Sequence, residues 1–220
     1  VRVAAFGPDG QPIGGAGVIE VFIRWLRIEG PREAPKVNGR LRGLVQADAV
    51  AFLGDVVDAV EQHGYACRTS FDGRCMWLQQ EYQVMLATED YLSVRNTLRR
   101  LMPGAVGDAS EIRAETFDLS TGRPIAIGDL FDPATDWVPA LSAAAIERLG
   151  NEPWTDDRRF TGAGPQAVNF TRFNLTAGGL VLSFSPLSVG GSGTNTLSVT
   201  VPYRTLNGYW APDGPVPMIG

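Results

Sequence analysis

One imidazole, two thiols and a scatter of carboxylates are the groups in this 220-residue chain that chemistry could use. The imidazole, His63, ends a helical stretch and is followed by Gly64. There the partial negative charge of the last helical carbonyls favours a protonated ring, a structural role. A lone histidine leaves a Ser-His-Asp triad, a Cys-His pair or a His-based metal site without its parts. A metal set of one Asp and two His, as in metal-dependent carbohydrate deacetylases, fails on the same count. The thiols, Cys67 and Cys75, flank Asp72-Gly73, a strong turn dipeptide. That spacing suits a disulfide across the turn and does not match a Cys-x-x-Cys redox or zinc motif. A disulfide is the expected state, with two free thiols as the alternative; the bridge would imply an oxidising compartment.

Carboxylate pairs remain, because glycoside hydrolysis needs only two. The candidates are Glu89-Asp90, Asp129 with Asp132, and Asp156-Asp157. Neighbouring carboxylates on turns also serve as caps or solvated faces, and that is the preferred reading of all three. Asp118, before a Ser-Thr-Gly turn, reads as a turn former. The run Gly190-Gly191-Ser192-Gly193 lacks the spacing of a nucleophile elbow and the lysine of a phosphate loop, and reads as a loop. Asn169-Phe-Thr171 and Asn174-Leu-Thr176 match the glycosylation sequon but read as structural asparagines within one strand. No catalytic residue, metal or cofactor is assigned. The strongest binding candidate is the loop from Asn151 to Phe160, where Trp154, Asp156, Asp157, Arg158 and Arg159 combine an aromatic with both charge signs, a hot-spot composition. The loop from Met102 to Ser110 is second.

The elements that must position these groups follow from composition and periodicity. Hydrophobic residues make up 44% and charged residues 20% of the chain, with 26 Gly and 15 Pro. That is a globular composition rich in turns, and a chain of this length buries roughly 70% of its unfolded surface. The net charge of −5 and the scattered basic residues, all arginine except Lys36, argue against nucleic-acid binding. No apolar run is long enough to span a membrane. The chain starts at Val1 without a signal-peptide pattern; the expectation is that a signal or anchor is missing from it.

Residues 1–17 read as a flexible Gly/Pro arm and 211–220 as a Pro-rich, mobile tail. Between them, 18–210 reads as a single α+β domain, with a split near 150 as the alternative. Val18 to Ile28 reads as a strand, with Val21, Ile23 and Trp25 on one face and Glu20, Phe22 and Arg24 on the other. Asn38 caps a helix to about His63, whose apolar stripe includes Leu41, Val45, Phe52 and Val56. Strands follow from Cys75 to Thr88, Tyr91 to Leu101 and Ile112 to Leu119, with Glu89-Asp90 as a hairpin turn. Asp129 to Phe131 starts a helical turn, and a second helix covers Pro139 to Gly150. Asn169 to Thr176 and Leu180 to Phe184 form a hairpin through Gly178-Gly179; Thr196 to Val201 is the last strand and Pro202 to Leu206 a helical turn. The short strand-to-strand links predict a mostly antiparallel sheet with helices packed on one face.

Two stretches carry a resemblance. The segment from Ala114 to Phe131, with Asp118, Thr121-Gly122, Ile125 and Asp129-Leu130-Phe131, resembles the D-x-x-T-G-x-x-I-x-x-x-D-L-F segment of the DUF3298 family. Asn169-Phe170, Gly179-Leu180, Phe184 to Pro186, Gly193 and the run Val201-Pro202-Tyr203 to Leu206 resemble that family's final hairpin and closing I-P-Y-x-x-L. The early strand and the Asn38 helix resemble the companion DUF4163 segment. The family includes the extracytoplasmic part of RsiV-type anti-sigma factors, which binds lysozyme, the non-catalytic portion of PdaC-type peptidoglycan deacetylases, and a secreted mycobacterial antigen. Val106 stands where members often carry a histidine, so no role of that histidine transfers. The resemblance implies a non-enzymatic bacterial module, periplasmic or secreted, that binds an envelope protein (a basic lysozyme-like protein among them) or a peptidoglycan fragment. The competing readings are a glycan-acting enzyme using a carboxylate pair and a secreted structural domain without a small ligand.

Overall fold

The computed structural model of the chain describes residues 2–4, 18–63, 76–102, 105, 107–151, 160–185, 188–189 and 196–219, with the backbone alone described at 2–4, 18, 60 and 63. The fold is α+β. The strands are β1 (Arg2–Ala4), β2 (Val18–Ile23), β3 (Met76–Ala87), β4 (Tyr91–Leu101), β5 (Ala109–Asp118), β6 (Arg123–Pro124), β7 (Phe173–Thr176), β8 (Gly179–Phe184) and β9 (Leu197–Val201); the helices are α1 (Ala34–His63), α2 (Trp137–Gly150) and α3 (Pro215–Ile219). Two sheets form where the sequence suggested one: a six-stranded ladder in chain order, β1 to β6, and a three-stranded ladder β7-β8-β9. The later hairpin builds its own sheet, in which β7 and β9 both pair with β8. The pairing is mostly antiparallel; β2 and β3, joined through the long helix α1, run parallel, as a helical crossover requires.

The chain divides into two compact units that alternate along the sequence: Val1–Arg27, Asn38–Tyr82 and Thr97–Ser110 form the first, and Ile28–Val37, Gln83–Asn96 and Glu111–Gly220 the second. In the first unit, Phe52 and Val56 of α1 pack on Ile19 and Val21 of β2, Met76 and Leu78 of β3 and Leu98 of β4. The helix starts at Ala34, four residues before the expected cap at Asn38. Pro35 explains the difference: a proline fits the first turn of a helix, where its missing N–H has no intrahelical acceptor anyway. The strand β2 stops at Ile23 rather than Ile28. Within the expected arm, Arg2–Ala4 pair antiparallel with Val18, Ile19 and Glu20.

In the second unit, Leu141, Ala145 and Leu149 of α2 join Leu180, Leu182, Val199 and Val201 of β8 and β9 in one apolar core. Phe131 sits between two tryptophans, its ring 4.4 Å from Trp137 and 4.7 Å from Trp210. Phe131 and Trp210 also form an isolated antiparallel bridge. That bridge, a hydrogen bond from Ala211 N to Leu130 O, and the burial of Val216 in the core hold the C-terminal segment, so α3 replaces the expected loose tail. The strand expected from Asn169 begins only at Phe173. Ala167–Phe170 form a 3₁₀ turn, where Asn169 Nδ2 donates to Gly164 O and Thr171 Oγ1 to Val168 O; such side-chain bonds to the backbone compete with a ladder.

Candidate functional site

The binding loop expected from sequence, with Trp154, Asp156, Asp157, Arg158 and Arg159, lies outside the described residues, as do Cys67 and Cys75 and the Gly190 to Gly193 run. Of His63 the backbone alone is described, at the last residue of α1. The remaining carboxylate candidates are engaged as caps and turns. Asp129 Oδ2 accepts from Ala126 N at 2.8 Å and Asp132 Oδ1 from Ala134 N at 2.8 Å. Glu89 and Asp90 sit exposed in the tight β3–β4 connection. Asp118 forms the turn expected of it, its Oδ1 accepting from Ser120 N, Ser120 Oγ and Thr121 N. Burial alone would raise this carboxyl, but the hydrogen bonds from Ser120 and Thr121 outweigh it and hold Asp118 below the usual value. Lys36 closes the same turn, its Nζ donating to Thr121 O at 2.8 Å. Among the described residues no group of three or more His, Cys, Asp or Glu is placed to hold a metal ion.

Among the described residues a groove lies in the first unit, where β2 runs beside β3. Ile19 and Val21 point into the core, which turns Phe22 and Arg24 outward. Phe22 keeps 45% of its surface exposed and Trp25 keeps 52%, values at which a large ring contributes little to the fold. Beyond the end of β2, Arg24 N still donates to Gln80 O at 3.0 Å, which keeps this segment against β3. Phe22, Arg24, Gln79, Gln80 and Glu81 line a pocket of 160 Å³. Drug-sized ligands fill roughly 300–1,000 Å³, so this pocket accepts one ring or one branch of a larger ligand.

The polar groups of the groove are pre-arranged. Gln79 Nε2 donates to Glu81 Oε1 at 3.0 Å, and Arg24 Nη1 lies 3.8 Å from the same oxygen. Outside the pocket, the Arg42 guanidinium of α1 lies over the Trp25 ring, 4.8 Å from its centroid, a cation–π contact that orients the indole. An exposed aromatic ring, Phe22, beside amide, carboxylate and guanidinium groups is suited to a flat, hydroxylated ligand. The ring meets its C–H face, and the planar polar groups exchange hydrogen bonds with its hydroxyls. Glu81 is the one carboxylate among the pocket's lining residues.

Sequence reasoning assigned Phe22, Arg24 and Trp25 to strand faces and Arg42 to a helix, without a binding role, and it did not single out Gln79 or Glu81. A signal was present in the alternation itself. Phe22 and Trp25 fall on opposite faces of the expected strand, and one helix stripe covers only one of them.

No protein-family model and no curated protein matches the chain. Solved structures do. A DUF3298 family protein from Pseudomonas aeruginosa PAO1 superposes with a TM-score of 0.53 at 14% identity, over 96% of this chain and 94% of that one. A DUF3298 family member from Bacteroides fragilis NCTC 9343 superposes with a TM-score of 0.52 at 16% identity, over 87% of this chain and 73% of that one. The fold of this chain is thus the fold of DUF3298 structures, the family its two motif stretches resemble. Those stretches build the second unit: Leu130, Phe131, Val201 and Leu206 belong to its core.

Proposed function

We propose that this chain is a non-enzymatic bacterial module that works outside the cytoplasm and binds a cell-wall glycan through the groove that Phe22 lines between β2 and β3. The observation that carries the reading is the half-exposed Phe22 ring in one pocket with the Arg24–Glu81–Gln79 cluster. The small pocket suits one sugar ring of a polymer that continues across the surface. Binding rather than turnover is favoured by the carboxylates: a glycosidase needs two facing its substrate, whereas Glu81 stands alone in the pocket lining and Asp118, Asp129 and Asp132 are committed to turns. The extracytoplasmic assignment rests on the motif resemblance and on the expected Cys67–Cys75 bridge. Thiol titration of the denatured, unreduced chain tests that bridge, and two free thiols would remove this support.

The test of binding is retention of the purified chain on insoluble peptidoglycan, with wild type and Phe22→Ala side by side. Retention of wild type and loss in the variant support the reading. Failure of wild type to be retained overturns it in favour of a protein partner. Turnover of a muropeptide by the purified chain overturns the non-enzymatic assignment.

A further inference from the structure

In the second unit one arginine lacks what its neighbour has. Arg172 lies 3.5 Å from Glu111 Oε1 and also donates to Ser185 Oγ. Arg95, on β4, has no carboxylate partner among the described residues. Its Nε is buried and makes no hydrogen bond there. Its Nη2 faces two hydroxyls at the outer limit of hydrogen bonding, Ser183 Oγ at 3.4 Å and Ser198 Oγ at 3.5 Å. Those serines are register partners across β8 and β9, their oxygens 2.9 Å apart. A guanidinium taken partly out of water without a counter-charge is costly; burial alone already weakens its hold on the proton. Serine hydroxyls rotate freely and can donate, so a cation flanked by two of them matches a small oxyanion, which the planar fork grips with two parallel bonds.

We infer that Arg95, Ser183 and Ser198 form a binding site for a small oxyanion, a carboxylate or a phosphoryl group. The site belongs to the second unit and does not depend on the glycan reading, whose groove lies in the first. The test is thermal unfolding of the purified chain with inorganic phosphate or acetate titrated at constant ionic strength against sodium chloride. A saturable rise in Tm with either oxyanion, beyond chloride, is the expected result. Phosphate alone would assign a phosphoryl ligand, acetate alone a carboxylate such as a peptide terminus. Arg95→Gln should weaken the effect roughly tenfold or more. Ser198→Ala should weaken it in part and provides the reading if Arg95→Gln fails to fold. No saturable shift beyond chloride, or unchanged shifts in the variants, overturns the site.

Discussion

Asp48 on α1 accepts a 2.8 Å hydrogen bond from Gln80 Nε2 on β3, and both side chains are buried. The carboxyl interrupts the apolar face formed by Leu41, Val45, Phe52 and Val56, all of which are buried. A polar group at such a place must be hydrogen-bonded or it destabilises the fold. The pair therefore fixes how α1 is rotated and shifted on β3, which apolar contacts alone specify loosely. Gln80→Leu should lower stability by about 1–3 kcal/mol, read as the urea midpoint at unchanged slope. The double variant Asp48→Leu/Gln80→Leu should recover part of that loss. A Gln80→Leu chain as stable as wild type would show that the pair specifies nothing.

The β7–β8 hairpin allows a sharp contrast between adjacent glycines. Gly179 has a φ of +155°, and a Cβ there would lie 2.5 Å from the Val201 carbonyl oxygen, whereas one at Gly178 would meet nothing within 4 Å. Gly179→Ala must push β8 away from β9 and should cost more than about 2 kcal/mol. Gly178→Ala should stay within about 1 kcal/mol. Equal effects in thermal unfolding would contradict the close strand approach.

What was legible in the sequence was whatever local spacing dictates. The α1 stripe, the Glu89-Asp90 connection, α2 and the Gly178-Gly179 hairpin all follow from periodicity and turn chemistry. The start of α1 was missed because Asn38 is a good cap in isolation, while Pro35 permits an earlier first turn. The tail was missed because a Pro-rich segment gives no periodic signal; contacts between residues remote in sequence, among them the stacking of Phe131 on Trp210 and the Ala211 N to Leu130 O hydrogen bond, tie it down. The number of sheets depends on which strands end as neighbours, a non-local choice. The groove shares that difficulty. Phe22, Arg24 and Glu81 come together only through the parallel β2–β3 register, in which Phe22 lies opposite Gln79.

Asp118 sets part of the acid limb of stability. Its carboxyl is held below the ordinary value of 3.8, burial opposing and the Ser120 and Thr121 hydrogen bonds prevailing. A depressed folded value means the unfolded chain takes up the proton first. The contribution is complete above the ordinary value and is lost as pH falls through the folded one. Asp118→Asn should cost about 1 kcal/mol at neutral pH and flatten the decline as pH falls below the ordinary carboxyl value of 3.8. Parallel acid limbs in wild type and variant would remove Asp118 from this role.

Phe22 separates binding from folding. It keeps 45% of its surface exposed while lining the groove, so Phe22→Ala should lower stability by only about 1 kcal/mol, well under the value of a fully buried ring. Loss of a central aromatic anchor should weaken glycan binding about tenfold or more. Tryptophan fluorescence titrated with soluble peptidoglycan fragments, beside urea unfolding, measures both. Unchanged affinity in a folded variant would move the binding surface elsewhere.

Tyr203 governs the alkaline limb. Its hydroxyl donates to Thr176 O at 2.7 Å and accepts from Thr176 N at 3.3 Å, and its ring meets Trp210 edge-on with centroids 5.8 Å apart. Burial raises this phenol to about 12, against the ordinary 10.0. Between these values the unfolded chain releases the proton and the folded chain keeps it. The Tyr203 contribution is therefore complete below pH 10 and falls as pH rises toward 12. Tyr203→Phe should cost about 1 kcal/mol at neutral pH through the lost hydrogen bonds and should flatten the alkaline decline. Phenolate absorbance should show Tyr91 and Tyr203 ionising after exposed phenols, Tyr203 last, and that last step should vanish in the variant. A last step that persists unchanged in Tyr203→Phe would assign it to another tyrosine and break the link between this hydrogen bond and alkaline stability.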